Sequence, residues 1–259
     1  MTPERISVVM PAYNEADGIV EFLTEIEETF AEHKLEPVIG IVNDCSTDGT
    51  VDVIREFSAT SNTDVLLVTN QSNLGHGPSS VRAWQLGLDS GTGTIVHVDG
   101  DGQFTAADMV AVALASREAD GAVGIRVSRE DPWFRTIVTW SLRRYLRILS
   151  RLDIVDANAP LRAYEADVLR ELLDQLPPVP MIPSVYLSVA SRTSSFDVLE
   201  VNVASRERRG DSADGSTWGK SALAFMPSRR LIAFVASAAR EGSRTIRKLS
   251  SSRAPVRAQ

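Results

Sequence analysis

Apolar residues recur along this chain in two alternating rhythms. "ISVVM" (6–10) is a short unbroken apolar run, the pattern of a strand buried on both faces. "DGIVEFLTEIEETFAEH" (17–33) follows, with Ile19, Phe22, Leu23, Ile26 and Phe30 at helical spacing, and predicts an amphipathic helix. The alternation continues through strand "PVIGIV" (37–42), helix "DGTVDVIREFSA" (48–59) and strand "DVLLVT" (64–69). Helix "GPSSVRAWQLGLDS" (77–90), strand "GTIVHVD" (93–99), helix "AADMVAVALASRE" (106–118) and strand "GAVGIR" (121–126) complete it. Strands and helices in this order predict an α/β fold with a mostly parallel sheet covered on both faces. Ligands of such sheets sit beyond the carboxyl ends of the strands. The polar clusters fall there: "PAYNE", "NDCSTDGT", "NQSNLGHG" and "DGDGQ" each follow a strand.

After residue 130 the rhythm changes. "PWFRTIVTWSLRRYLRILSRL" (132–152) predicts one long helix carrying five arginines and no acid, rich in Trp, Phe, Leu and Ile. That composition suits a helix at a membrane surface, and equally a core-packed helix with a solvated basic face. "SFDVLEVNVA" (195–204) predicts a late strand, and 216–249 a C-terminal helical segment. Residues 250–259, "SSSRAPVRAQ", have the composition of a disordered tail.

The chain has 259 residues, 43% of them hydrophobic, enough for one large core. A single cysteine, Cys45, excludes a disulfide framework and points to a reducing, cytoplasmic setting. No stretch of about 20 apolar residues predicts a membrane span, and the N-terminus enters a strand without an apolar leader. Net charge is −7, but residues 203–259 hold 12 basic residues against 4 acidic ones. A basic end on an acidic body suits an anionic surface or a phosphorylated ligand, and nothing in the chain predicts nucleic-acid binding.

"HVDGDGQF" (97–104) places Asp99 and Asp101 two positions apart at the end of a predicted strand. Two carboxylates held together repel unless a cation lies between them. A divalent metal accepts such oxygens and completes its shell with phosphate oxygens. Asp and Gly are also ordinary turn residues.

Four of these clusters, in order and spacing over about the first 105 residues, resemble the nucleotide-sugar domain of family 2 inverting glycosyltransferases, which have the GT-A fold. They are "PAYNE", "VNDCSTDGT", "NLGHGPS" and "DGDGQ". "DANAPLRAYEADVL" (156–169) and "SRERRGDS" (205–212) are similar to acceptor-side motifs of the polyprenyl-phosphate sugar synthase branch, which includes dolichol-phosphate mannose synthase. The resemblance implies one GT-A domain over 1–215, with a nucleotide-sugar half (1–130) and an acceptor half (131–215). It implies transfer of a hexosyl unit from a UDP- or GDP-sugar, with Mg²⁺ or Mn²⁺ as cofactor and inversion at the anomeric carbon.

On the donor side the resemblance makes Asp101 the direct metal ligand and catalytic, Asp99 a second ligand or ribose contact, and Gln103 a further metal contact. Tyr13 and Glu15 become walls of the base pocket, with Pro11 fixing the exit of the first strand. Asn43 and Asp44 become base or ribose contacts, and Gly75 and His76 meet the diphosphate at a helix N-terminus. The chain departs from the family pattern at Asn43, where Asp is usual, at Cys45, where Gly is usual, and at Gly100, where a small aliphatic residue is common. His97 is expected only to pack in the core, and Cys45 to be a small buried side chain.

The acceptor must be either an alcohol, which needs a general base, or a phosphate, which is already anionic and needs positive groups. Residues 175–196 contain no Asp or Glu, which leaves Asp156 as the catalytic carboxylate. Arg162, Arg206, Arg208 and Arg209 are the expected phosphate contacts. This favours a lipid phosphate acceptor met at the cytoplasmic face of an anionic membrane, by a peripheral and potentially homo-oligomeric enzyme. A sugar or other alcohol acceptor is the alternative, and a non-catalytic nucleotide-sugar-binding subunit a third reading.

Overall fold

The computed structural model describes residues 3–126, 133–194, 196–204, 206, 209 and 241–251, with side chains in the long helix described from residue 140. The strands are β1 (Glu4–Ala12), β2 (Leu35–Asn43), β3 (Asp64–Thr69), β4 (Thr94–His97), β5 (Gly121–Arg126), β6 (Arg162–Glu165) and β7 (Val198–Val203). The helices are α1 (Ile19–Glu32), α2 (Thr50–Thr60), α3 (His76–Asp89), α4 (Ala106–Ser116), α5 (Trp133–Ser150), α6 (Ala166–Asp174) and α7 (Pro183–Thr193). A further helical segment covers 241–251, so residues 250 and 251, expected in the tail, close a helix instead.

One seven-stranded sheet runs β3-β2-β1-β4-β6-β5-β7. β1 pairs in parallel with both β2 and β4, and β6 is antiparallel to β4 and to β5. The central strands are apolar on both faces because helices cover both. Ile19, Phe22, Leu23, Ile26 and Phe30 of α1 join α2, α4 and one face of β1, β2 and β4 in one core cluster. Trp84 of α3, Leu146 of α5, α6, α7, and Ile246 and Leu249 of the last helix form the second cluster on the other face.

The differences from the predicted elements have local causes. β6 is four residues long, too short to show a period. α7, "PSVYLSVASRT", is buried on nearly every side, so it lacks the polar face by which a helix is recognised. β4 stops at His97, and Asp99 and Asp101 lie on the turn beyond it, not on the strand. The last helix is tied down by Tyr145 Oη at 2.8 Å from Ser243 Oγ, and by Tyr186 Oη donating to Glu241 Oε1 at 2.8 Å.

Candidate active site

Strand order reverses at β1: β2 and β3 lie to one side, β4 to the other. The crevice beyond β1 and β4 is the topological switch point where open α/β sheets bind ligands. Pro11 ends near that edge, and its carbonyl accepts from Gly100 N–H at 3.3 Å. A Cβ on Gly100 would sit 2.8 Å from that same oxygen, so glycine permits this approach of the two strand ends. The turn thus holds Asp99 and Asp101 over the crevice.

Asp99 Oδ1 is buried and has no hydrogen-bond partner among the described residues. His76 Nε2 lies 3.7 Å from it. A buried carboxylate oxygen without a donor is costly unless a cation compensates it. Asp101 Oδ1 accepts from Gln103 N–H at 3.1 Å. Hard, oxygen-only ligands such as these two carboxylates fit Mg²⁺ or Mn²⁺. No group of three or more His, Cys, Asp or Glu residues that could hold a metal alone occurs among the described residues. Two carboxylates would therefore leave most of the shell to a ligand such as a diphosphate.

On the donor side the loops are interlocked by side chains. Asn14, at φ 55°, donates its N–H to Ser46 Oγ at 3.0 Å and accepts from Thr47 N–H at 2.8 Å. Cys45 lies at φ 61°, in the left-handed region, which accounts for the glycine usual there; it is half-buried rather than buried. Asp44 was expected to touch base or ribose. Both of its carboxylate oxygens are instead occupied: Oδ1 accepts from Asn70 Nδ2 (2.7 Å) and Leu74 N–H (2.8 Å), Oδ2 from Gly75 N–H (2.8 Å). It anchors the 70–75 loop that launches α3. Asn43 is likewise buried, with its Oδ1 accepting from Ser46 N–H at 3.1 Å. Tyr13 is half-buried just past β1, and Glu15 is buried with its N–H on Thr50 Oγ1 at 2.9 Å.

Gly75 takes φ 86°, and a Cβ there would meet open space. His76 opens α3 and is half-exposed beside Asp99. Among the described residues no side chain caps the N-terminus of α3. Gly77 serves packing instead: a Cβ would lie 2.5 Å from Pro180 O and 2.7 Å from Met181 O.

Arg162 was expected to hold an acceptor phosphate. It is fully buried, donating to Ala159 O (2.7 Å), Ala157 O (3.1 Å), Ser188 Oγ (2.8 Å) and Tyr164 Oη (3.3 Å). Its guanidinium satisfies the carbonyls of the loop after Asp156. Asp156 Oδ2 accepts from Arg126 Nε (3.1 Å) and Nη2 (2.9 Å). Arg126, missed in the sequence because it ends an ordinary strand, also lies 6.0 Å from the Phe104 ring centroid, beside the metal loop. Arg206 and Arg209 reach that loop from the other side and pair with Glu25 of α1 rather than standing free for a phosphate. Arg208 lies outside the described residues.

His97 ends β4 behind Asp99, fully buried, its Nδ1 3.0 Å from Pro160 O and its ring 4.8 Å from that of Trp84. Burial pushes its pKa down to about 4, against the opposing field of Asp99. The unfolded chain takes up this proton near pH 6.5, the folded one only near 4, so stability falls as pH drops through that window. The loss between pH 7 and pH 5 is about 2 kcal/mol from this group. Urea midpoints at the two pH values test it. His97→Gln should flatten the dependence by that amount, and an unchanged slope would refute the assignment.

A family model described as "Glycosyl transferase family 2" matches residues 7–173. Among curated relatives, the undecaprenyl-phosphate mannosyltransferase of Micrococcus luteus is 27% identical over 65% of this chain and 69% of its own length. The undecaprenyl-phosphate 4-deoxy-4-formamido-L-arabinose transferase of Edwardsiella ictaluri is 28% identical over 83% of this chain and 64% of its own. Among solved structures, glucosyl-3-phosphoglycerate synthase from Mycobacterium tuberculosis, in complex with Mn²⁺, UDP-glucose and phosphoglyceric acid, superposes with a TM-score of 0.59. It is 15% identical and aligns with 96% of this chain and 80% of its own, a likeness of fold. With the switch-point crevice, the turn carrying Asp99 and Asp101 and the family model in agreement, the chain belongs to glycosyl transferase family 2 and is a nucleotide-sugar-dependent glycosyltransferase.

Proposed function

We propose that this enzyme transfers a hexosyl unit from a UDP- or GDP-sugar to a polyprenyl phosphate, with inversion, at the surface of a membrane. The Asp99 carboxylate at the switch point, whose buried Oδ1 has no hydrogen-bond donor among the described residues, carries the donor half of this reading. Asp99 and Asp101 would hold Mg²⁺ or Mn²⁺, whose charge neutralises the departing nucleoside diphosphate. The open N-terminus of α3, with Gly75 and His76, gives the diphosphate a second electropositive end. Tyr13 remains the wall against which a base can pack.

For the acceptor, the two curated relatives are named for different sugars and for the same lipid phosphate, and that shared half is the one carried over. A phosphate monoester is already anionic near neutral pH. It needs cations held in place more than it needs a base. Arg126 is such a cation, fixed by Asp156. Asp156 thereby becomes the holder of Arg126, and its role as general base belongs to the alcohol-acceptor alternative. No helix of the described residues is long and apolar enough to cross a membrane, so access to the lipid would be from the surface.

The test is a panel of α-linked UDP- and GDP-sugars, with and without short polyprenyl phosphates, scored for nucleoside diphosphate release and for product configuration by NMR. A lipid phosphate should accelerate release, and the product should be β-linked. Faster transfer to a soluble sugar hydroxyl than to any lipid phosphate would overturn the acceptor assignment and make Asp156 the base. An α-linked product would overturn the inverting mechanism.

A further inference from the structure

The turn that carries Asp99 and Asp101 is followed by four backbone carbonyls in an unusual situation. All four, from residues 101 to 104, accept hydrogen bonds from just two residues. Arg209 N–H donates to Asp101 O at 3.0 Å, and Arg206 N–H to Gln103 O at 2.9 Å. Arg206 Nε donates to Gly102 O at 2.7 Å, and its Nη2 to Phe104 O at 3.3 Å. Gly102 lies at φ 67°, and a Cβ there would press on the Arg209 side chain at 3.0 Å. Arg206 and Arg209, after β7, therefore act as a strap on the loop.

The strap is fixed at its far end chiefly by Glu25, with the exposed Glu21 Oε2 also 3.6 Å from Arg209 Nη1. Glu25 Oε2 accepts from Arg206 Nη2 at 2.6 Å and from Arg209 Nη2. Its Oε1 accepts from Ala106 N–H at 2.9 Å, one of the unpaired donors opening α4. Glu25 is flanked on α1 by buried Phe22 and Ile26 and is itself mostly buried. Burial would raise its pKa, but the bonds from Arg206 and Ala106 and the charges of Arg206 and Arg209 outweigh that and hold it below the ordinary range. Its carboxylate thus joins α1, the start of α4, the strap and, through the strap, the loop between the two aspartates and α4.

We infer that Glu25 is a positioning residue for the Asp99–Asp101 metal site, acting through Arg206 and Arg209. It touches neither aspartate. Without its charge the two arginines would face each other across Gly102 with no common anion, and the carbonyl ladder that sets the turn would loosen. The arginines then belong to the loop's support, which reassigns them from the acceptor phosphate. Outer partners of metal ligands typically govern affinity by about 10- to 100-fold.

The inference rests on the metal reading of Asp99 and Asp101, and two measurements keep the two apart. The first is hydrogen exchange at the amides of Gly100, Gln103, Arg206 and Arg209 in the metal-free protein. The second is Mn²⁺ binding followed by electron paramagnetic resonance. Glu25→Gln should speed exchange at those amides and raise the Mn²⁺ dissociation constant about 10-fold, at the lower end of that range. Arg206→Lys, which keeps the charge but cannot span Gly102 O, Phe104 O and Glu25 together, should do the same and decides alone if Glu25→Gln does not fold. Glu4→Gln, which removes a surface ion pair with Arg117, should change neither. Wild-type exchange and wild-type Mn²⁺ affinity in a folded Glu25→Gln or Arg206→Lys, with only Tm lowered, would overturn the inference. If the wild-type protein binds no Mn²⁺, the metal reading falls, and the exchange rates still decide whether Glu25 positions the loop.

Discussion

Asp101→Asn is expected to lower turnover at least 10²–10³-fold, about the loss seen when a charge-stabilising group is removed from an active site, while the protein stays folded. The folded state survives because the asparagine oxygen can keep the Gln103 N–H bond, and the Asp101 carbonyl stays bonded to Arg209. Asp99→Asn should be as inactive but should raise Tm rather than lower it. A buried carboxylate oxygen without a donor destabilises the metal-free fold, and a neutral amide removes that charge. Loss of activity together with gain of stability marks a residue kept for function. EDTA should abolish wild-type activity, and Mn²⁺ or Mg²⁺ restore it. Full turnover of Asp101→Asn in metal-free buffer would sink the metal assignment.

The donor half of the fold was legible because its signals are long and periodic. The five apolar positions predicted for α1 are its buried face, and β3 and β5 occupy the predicted residues. Gly75 was placed in the sequence at the opening of α3, and it takes φ 86° there; the left-handed Gly102 and the contact of Gly100 with a backbone oxygen appear only in the fold. What a polar residue bonds to was far less legible. Asp44 and Asn43 carry the right side chains for a base or ribose, yet the structure spends them on neighbouring backbone N–H groups that could not be located from the sequence. Arg162 follows a polar motif and was read as a phosphate contact, and the carbonyls of 157 and 159 hold it in the core. Glu25 was one of several acids on the polar side of α1. Only the fold shows that two arginines some 180 residues later close on it, as long-range ion pairs leave no local pattern.

The basic helix was legible in composition and ambiguous in meaning, and binding to vesicles resolves it. Leu146 of α5 is buried against the second core cluster. Trp140 is 63% exposed and Ile148 66%, and Arg143, Arg144 and Arg147 line a surface depression with Trp140. The side chains of Trp133 and Phe134, also expected to insert, lie outside the described residues. Asp153 sits among the arginines, 2.7 Å from Arg143 Nε and 3.8 Å from Arg147 Nη2, and leaves Arg144 without a partner among the described residues. These exposed pairs stabilise the fold little, so their charges remain available to a surface. Each basic residue near an anionic bilayer contributes about 1 kcal/mol. Replacing Arg143, Arg144 and Arg147 with Gln should therefore weaken binding to phosphatidylglycerol-containing vesicles about 100-fold, and Asp153→Asn should strengthen it. Affinity should fall with added salt, because the attraction is screened within about 10 Å at 0.1 M. Donor hydrolysis should stay near wild type in the triple variant, since the three arginines belong to neither the crevice nor the strap. Co-sedimentation with anionic and neutral vesicles measures all of this. Equal affinity for both vesicle types, or a triple variant that binds as wild type does, would make α5 an ordinary core-packed helix with a solvated basic face.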